Sequence, residues 1–228
     1  MKIELKAVQK KYGSETVLSV KGLVFNPGEK VGVFGDNGAG KSTLFRLIAA
    51  LSEPDAGEIL YDGLPNSRAA QWYGRCGIYL DAGFLIDFYT VDEYLSLVGS
   101  LHRMSPAQME KRKRELMGFF GDEMRAGKKL IRELSTGNKK KVGIAGALFH
   151  KPEVLLLDEP FADLDTRGKE WLIHALAEYG TRDRLMVISS HDVTLVRNLI
   201  DRIVFIDDGG VAMDGDRSLW PDIKALFG

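Results

Sequence analysis

The stretch with the clearest capacity for chemistry is Gly35-Asp36-Asn37-Gly38-Ala39-Gly40-Lys41-Ser42-Thr43, which fits GxxxxGK[S/T] at every fixed position. Its glycines let successive backbone N–H groups turn inward and form a cradle for anionic oxygens. The helix expected after it adds the partial positive charge of its N-terminus behind that cradle. A lysine at position 41 is placed to reach the β- and γ-phosphates of a nucleoside triphosphate, and the Ser42 hydroxyl to hold Mg²⁺. The alternative, an ordinary glycine-rich turn, leaves the agreement of strand, loop and helix unexplained. A second group follows far downstream, Asp158-Glu159. Two acids at the end of an apolar strand are costly unless they meet a cation or hydrogen-bond donors. Asp158 is the candidate for Mg²⁺, through water, and Glu159 for the base that polarises an attacking water. The competing reading is two charges opening a surface loop.

These residues need a scaffold, and the sequence predicts one. The apolar run Lys30-Val31-Gly32-Val33-Phe34 leads into the glycine loop, and Thr43-Leu44-Phe45-Arg46-Leu47-Ile48 leaves it with helical character. Val154-Leu155-Leu156-Leu157 and Leu185-Met186-Val187-Ile188 are apolar throughout, as parallel strands covered on both faces are. Residues 2–8 alternate, 16–25 form a second strand region, and Asp62-Gly63 closes a hairpin after the strand 58–61. Ile78–Leu80 and Ile203–Ile206 are further strands, and a helix is expected over 168–179. From about 85 to 150 the pattern turns helical. Thr90 to Glu93 forms a capping box, and Ser105-Pro106 opens a helix. That helix carries Glu110-Lys111-Arg112-Lys113-Arg114-Glu115, read as a solvated face rather than as a contact to lipid headgroups or a partner. The expected fold is α/β: a P-loop NTPase core with a mainly parallel sheet, an N-terminal antiparallel β subdomain and an inserted helical subdomain. Residues 1–84 and 151–228 would form the core and 85–150 the insert, in one domain of 1–228.

Composition narrows the setting. The chain has 228 residues, 45% of them hydrophobic and 28% charged, with a formal net charge of -1. That balance excludes a general attraction to nucleic acid or anionic lipid. The single cysteine, Cys76, excludes an internal disulfide and a cysteine-rich zinc site. Charges at Lys2, Glu4 and Lys6 break any signal-peptide core, and no apolar run approaches the ~20 residues of a membrane helix.

Leu134-Ser135-Thr136-Gly137-Asn138 completes a pattern. It resembles the LSGGQ signature of ABC transporter nucleotide-binding subunits and stands shortly before Val154–Glu159, and the chain is similar to that family from end to end. The resemblance implies a homodimer, or a dimer with a homologous subunit, arranged head to tail. Each ATP then lies between residues 35–43 of one copy and Ser135, Thr136, Gly137 and Asn138 of the other. It also implies that Tyr12 stacks on adenine, that Asp165 belongs to a loop linking the two sites, and that His191 contacts the γ-phosphate. The family's usual glutamine is replaced by Asp81, a candidate to bind Mg²⁺ or its water. Thr136 and Asn138 replace Gly and Gln, while Gly137 is kept.

On that resemblance the chain is expected to be an ATPase using ATP and Mg²⁺. It would drive transport through separate integral membrane subunits, with export favoured by the signature form, by Asp81 and by the lack of a C-terminal domain. Contact to the membrane subunits would run through the helical subdomain and the loop near Asp81. The protein would then be cytoplasmic, held peripherally at the inner face of the cell membrane. An ABC-type ATPase serving a soluble machine is the alternative, and a non-hydrolysing regulator a third; intact Lys41, Asp158, Glu159 and His191 argue against the last.

Overall fold

The structure, a computed structural model, describes residues 1–65, 72–120, 129–180 and 183–227. Residues 66–71, within the expected core, and 121–128, within the expected helical insert, lie outside the described residues.

Two sheets share the strands. The first is antiparallel, in the order β2-β1-β4-β5, from β1 (Ile3–Tyr12), β2 (Glu15–Phe25), β4 (Ala56–Tyr61) and β5 (Leu64–Pro65). The second has six strands in the order β10-β9-β3-β8-β7-β6. Of these, β3 (Lys30–Phe34), β6 (Cys76–Tyr79), β7 (Val154–Leu157), β8 (Leu185–Ser189) and β9 (Arg202–Asp207) run parallel. Only β10 (Gly210–Asp216) is antiparallel, turned back by the Asp207–Gly210 turn. The expected pattern, an antiparallel unit beside a mainly parallel core, is what the chain forms.

The wholly apolar strands divide their side chains between two cores. In β7, Val154 and Leu156 face one cluster and Leu155 and Leu157 the other; β8 splits in the same way. The strand period of two therefore buries every residue of an unbroken apolar run. One cluster is closed by the antiparallel sheet and by α1 (Lys41–Ile48), which inserts Leu44, Phe45, Leu47 and Ile48. The other is closed by α2 (Val91–Leu101), α3 (Pro106–Leu116), α4 (Thr136–Phe149) and α5 (Thr166–Tyr179). Thr90 and Ser105 cap α2 and α3 as the sequence predicts, each with a reciprocal capping box. Burying the apolar faces supplies the main drive, at about 25 cal/mol per Å².

Two differences from the sequence reading stand out. The helix expected after His191 is a single turn, α6 (Val193–Val196), started by Asp192, whose carboxylate accepts the Thr194 and Leu195 N–H groups. A helix that the pattern did not announce, α7 (Trp220–Phe227), closes the chain. It buries Trp220 and Ile223 in the core, with the Trp220 ring 5.9 Å from Phe34. Its eight residues are too few for a clear period.

Candidate functional site

Open parallel sheets place ligands beyond the C-terminal ends of their strands. Here β3, β8 and β7 are adjacent, in a register that pairs Val33 with Ser189 and Leu157 with Ile188. Their ends bring together three segments far apart in sequence: 35–43, 158–159 and 189–191.

After β3 the backbone can only be followed by glycine at two points. Gly35 has φ 149°, and a Cβ there would stand 2.2 Å from the Ile206 carbonyl oxygen. Gly40 has φ 106°, and its Cβ would stand 2.8 Å from the Val17 carbonyl oxygen. Gly40 is also the N-cap of α1, which has no side-chain cap and no acid in its first turn. By contrast α2, α3, α4 and α5 begin at Thr90, Ser105, Ser135 and Asp165, each of which accepts a backbone N–H. The start of α1 is thus built to give its donors to an external anion. Lys41 is buried beneath the loop, its Nζ donating to the Gly35 carbonyl at 2.7 Å and the Asp36 carbonyl at 2.9 Å. Ala39 is buried, whereas Asp36, Asn37, Gly38 and Ser42 are exposed. A cavity of about 220 Å³ opens above, with Asn37, Lys41, Ser42 and Thr43 on one side and Asp158 and Glu159 on the other.

Asp158 is buried, and one of its oxygens, Oδ1, accepts the Ser189 hydroxyl. The same hydroxyl oxygen accepts the Glu159 N–H at 2.8 Å. Glu159 adopts φ 47°, a left-handed conformation that costs a non-glycine residue about 1–3 kcal/mol. Its carboxylate Oε2 lies 2.8 Å from Nδ1 of His191 and accepts the His191 backbone N–H at 3.3 Å. Glu159 and His191, 32 residues apart, thus form one acid–imidazole pair at the mouth of the cavity. His102 and His150 stack on each other instead, 3.4 Å between ring centroids.

The remaining candidates lie around this centre. Ser135 caps α4 by accepting the Asn138 N–H at 3.3 Å, and Ser135 and Thr136 are exposed. Asp165 caps α5 through the Gly168 N–H, 2.7 Å, and the Lys141 ammonium beside it holds its carboxyl below the usual range against a smaller burial effect. Tyr12, half exposed at the end of β1, has the Lys10 ammonium 5.8 Å from its ring centre. The Asp81 carboxylate accepts the Gly83 N–H at 2.6 Å and lies 4.0 Å from the Arg46 guanidinium of α1. Among the described residues no group of three or more His, Cys, Asp or Glu side chains is set to hold a metal.

Three residues at the site escaped the sequence reading. Ser189 was readable only as the polar end of an apolar strand; strand order alone sets it beside Asp158. Lys140 and Lys141 sit in the run Lys139-Lys140-Lys141, which looks like solvent-facing charge, yet both are buried. The signal available was the run that follows, Val142 to Phe149, apolar or small at every position, which marks a helix buried on every side, as α4 is from Lys140 to Phe149.

Comparison with known proteins agrees with this geometry. The family model for ABC transporters matches residues 20–162. The lipoprotein-releasing system ATP-binding protein LolD of Bacteroides thetaiotaomicron is 36% identical, over 93% of this chain and 100% of its own. The Nod factor export ATP-binding protein I of Paraburkholderia xenovorans is 34% identical, over 99% of this chain and 76% of its own. Among solved structures, an ATP-binding subunit of an ABC transporter superposes with a TM-score of 0.87 at 27% identity, over 100% of this chain and 94% of that one. The dimeric bacterial cassette MJ0796 gives 0.84 at 26% identity, over 94% and 98%, and its ADP- and phosphate-bound post-hydrolysis form gives 0.81 at 27% identity over the same shares. A family match over more than half of the sequence, and relatives aligned along nearly all of it, show that this chain belongs to the ABC transporter family as a subunit that binds and hydrolyses ATP.

Proposed function

We propose that two copies of this chain pair head to tail around ATP and power export through separate membrane subunits. The observation that carries the hydrolytic half is the Glu159 carboxylate, held by His191 at the mouth of the Lys41 cradle. In this reading the N–H groups of Gly38–Ser42 hold the phosphate chain, and Lys41 turns from its loop carbonyls to the β- and γ-oxygens. Tyr12 stacks on adenine, a contact worth roughly 1–3 kcal/mol. Glu159 takes the proton of the attacking water, a role typically worth about 10²- to 10⁴-fold in rate. His191 orients that carboxylate and reaches the γ-phosphate.

Magnesium fits the donor set: Ser42 and Asp158 line one cavity, the Ser189 hydroxyl engages only Oδ1 of Asp158, and Asp81 is a further candidate. When bound, the ion neutralises charge on the β- and γ-phosphate oxygens. Ser135, Thr136, Gly137 and Asn138 of the second copy would close the site from the far side, and Asp165 would link the two sites. A two-fold pair forms both composite sites at once.

Residues 1–84 and 151–228 act as the nucleotide-binding core and 85–150 as the helical signature subdomain in this scheme. Among the described residues no helix is long and apolar enough to cross a membrane; in this scheme the membrane subunits are separate chains. They would hold the protein at the inner face of the cell membrane. Export is favoured by the names of the relatives, one a lipoprotein-releasing and another a Nod factor export component.

Glu159→Gln tests the core of the proposal. It should cut steady-state ATP turnover by about 10²-fold or more, to a small residual rate, and leave a stable ATP-bound dimer on size exclusion. Parental hydrolysis by that variant would remove Glu159 from the role of base. Co-purification of a polytopic membrane protein with the native chain is the matching test of transport.

A further inference from the structure

Buried ammonium groups are expensive unless they find partners, so the two buried lysines of α4 ask for an account. Lys141 is explained by Asp165, 3.0 Å away, which caps α5. Lys140 is directed elsewhere. Its Nζ donates to the Glu159 backbone carbonyl at 3.1 Å and stands 3.6 Å from the Asp163 carboxylate. Both partners are non-glycine residues in left-handed conformations, φ 47° at Glu159 and 60° at Asp163. The peptide that follows Glu159 leads into Pro160, so it has no N–H, and its carbonyl is the one group by which it can be tethered. The first turn of α4 presses on the same loop: a Cβ at Gly137 would stand 2.6 Å from the Asp163 carbonyl oxygen.

We infer that Lys140 is a positioning residue for ATP hydrolysis, clamping the strained Glu159 backbone so that its carboxylate stays against His191. The clamp is anchored in α4, the helix that begins at Ser135, so the carboxylate and the signature turn move as one piece. Lys140 itself touches neither the cavity nor His191. The inference rests on the reading of Glu159 as the base.

The test is steady-state kinetics of the full chain with Lys140→Met, which keeps the stem and removes the charge. Turnover should fall about 10- to 100-fold, the scale of an ångström-sized misplacement. The KM for ATP and the melting temperature should stay near the parent, and Lys140→Arg should recover most of the loss. A parental kcat overturns the inference, as does a loss carried by KM. Should Lys140→Met not fold, Lys140→Gln serves: it is too short to reach the carbonyl, so the same fall in kcat is expected and a parental kcat overturns it. In a Glu159→Gln background, adding Lys140→Met should change residual turnover by less than about twofold, because the two act as a unit. A further large drop there would mean that Lys140 works independently of Glu159. A strongly slowed Glu159→Gln beside a fully active Lys140→Met sinks this inference alone, whereas parental turnover in Glu159→Gln sinks the assignment of the base and the route through it.

Discussion

At the scale of single residues, the phosphate loop is a backbone construction in which side chains are mostly excluded. Gly40 illustrates it, since both its dihedral angle and the Val17 carbonyl forbid a Cβ. Gly40→Ala should lower the melting temperature and weaken ATP binding, with a combined cost of about 1–3 kcal/mol. Calorimetric titration with ATP and a thermal melt check both parts; unchanged values would mean that the loop relaxes freely. The glycines, Lys41, Ser42 and the Asp158-Glu159 pair were legible in the sequence because each lies in a short motif with its own chemical logic. The Glu159–His191 contact and the Ser189 bridge were not, because each joins residues more than 25 positions apart that only strand order makes neighbours.

At the scale of elements, the ends of α2 and α4 meet through the stacked rings of His102 and His150. Burial, with the His102 ring and the Arg112 guanidinium nearby, pushes His150 from 6.5 down to about 4. Arg103, Lys111 and Lys151 line the same cavity. His150 therefore stays neutral in the folded chain while the unfolded chain takes up a proton. Its contribution is fully present above about pH 6.5 and is lost on acidification towards pH 4, at no more than about 1.4 kcal/mol per pH unit. Denaturant titrations across that window should show His150→Phe, which can keep the stack, with the flatter slope; equal slopes would place the acid sensitivity elsewhere. The strands and the capped helices of this region follow from apolar runs and capping residues. The shortness of α6 and the presence of α7 do not, because elements of four and eight residues are fixed by what they pack on rather than by their own period.

At the scale of the whole molecule, the proposed scheme requires that a membrane partner feel nucleotide chemistry, and it runs that link past Asp81. It lies at the end of β6, bonded to the Gly83 N–H and within 4.0 Å of Arg46 on α1, the helix that begins at the phosphate loop. Beyond it Phe84, Ile86 and Phe88 are exposed. Asp81→Ala should reduce transport per ATP hydrolysed in the reconstituted complex several-fold, while ATP affinity changes by less than about fivefold, since the exposed pair to Arg46 is itself worth at most about 1 kcal/mol. Lost nucleotide affinity with coupling preserved would contradict that placement.

By itself the sequence determined the reaction class and the order of the elements. A phosphate cradle and an apolar strand ending in acids are local patterns, written in neighbouring residues by backbone freedom and the period of two. The tertiary structure decided which distant groups share an oxygen, that Lys140 and Lys141 face inward, and that Asp81 turns toward Arg46. Those outcomes depend on the lateral order of β3, β8 and β7 and on the packing of α4 against them. Several registers satisfy the same local pattern, and only the joint burial of both sheet faces selects one.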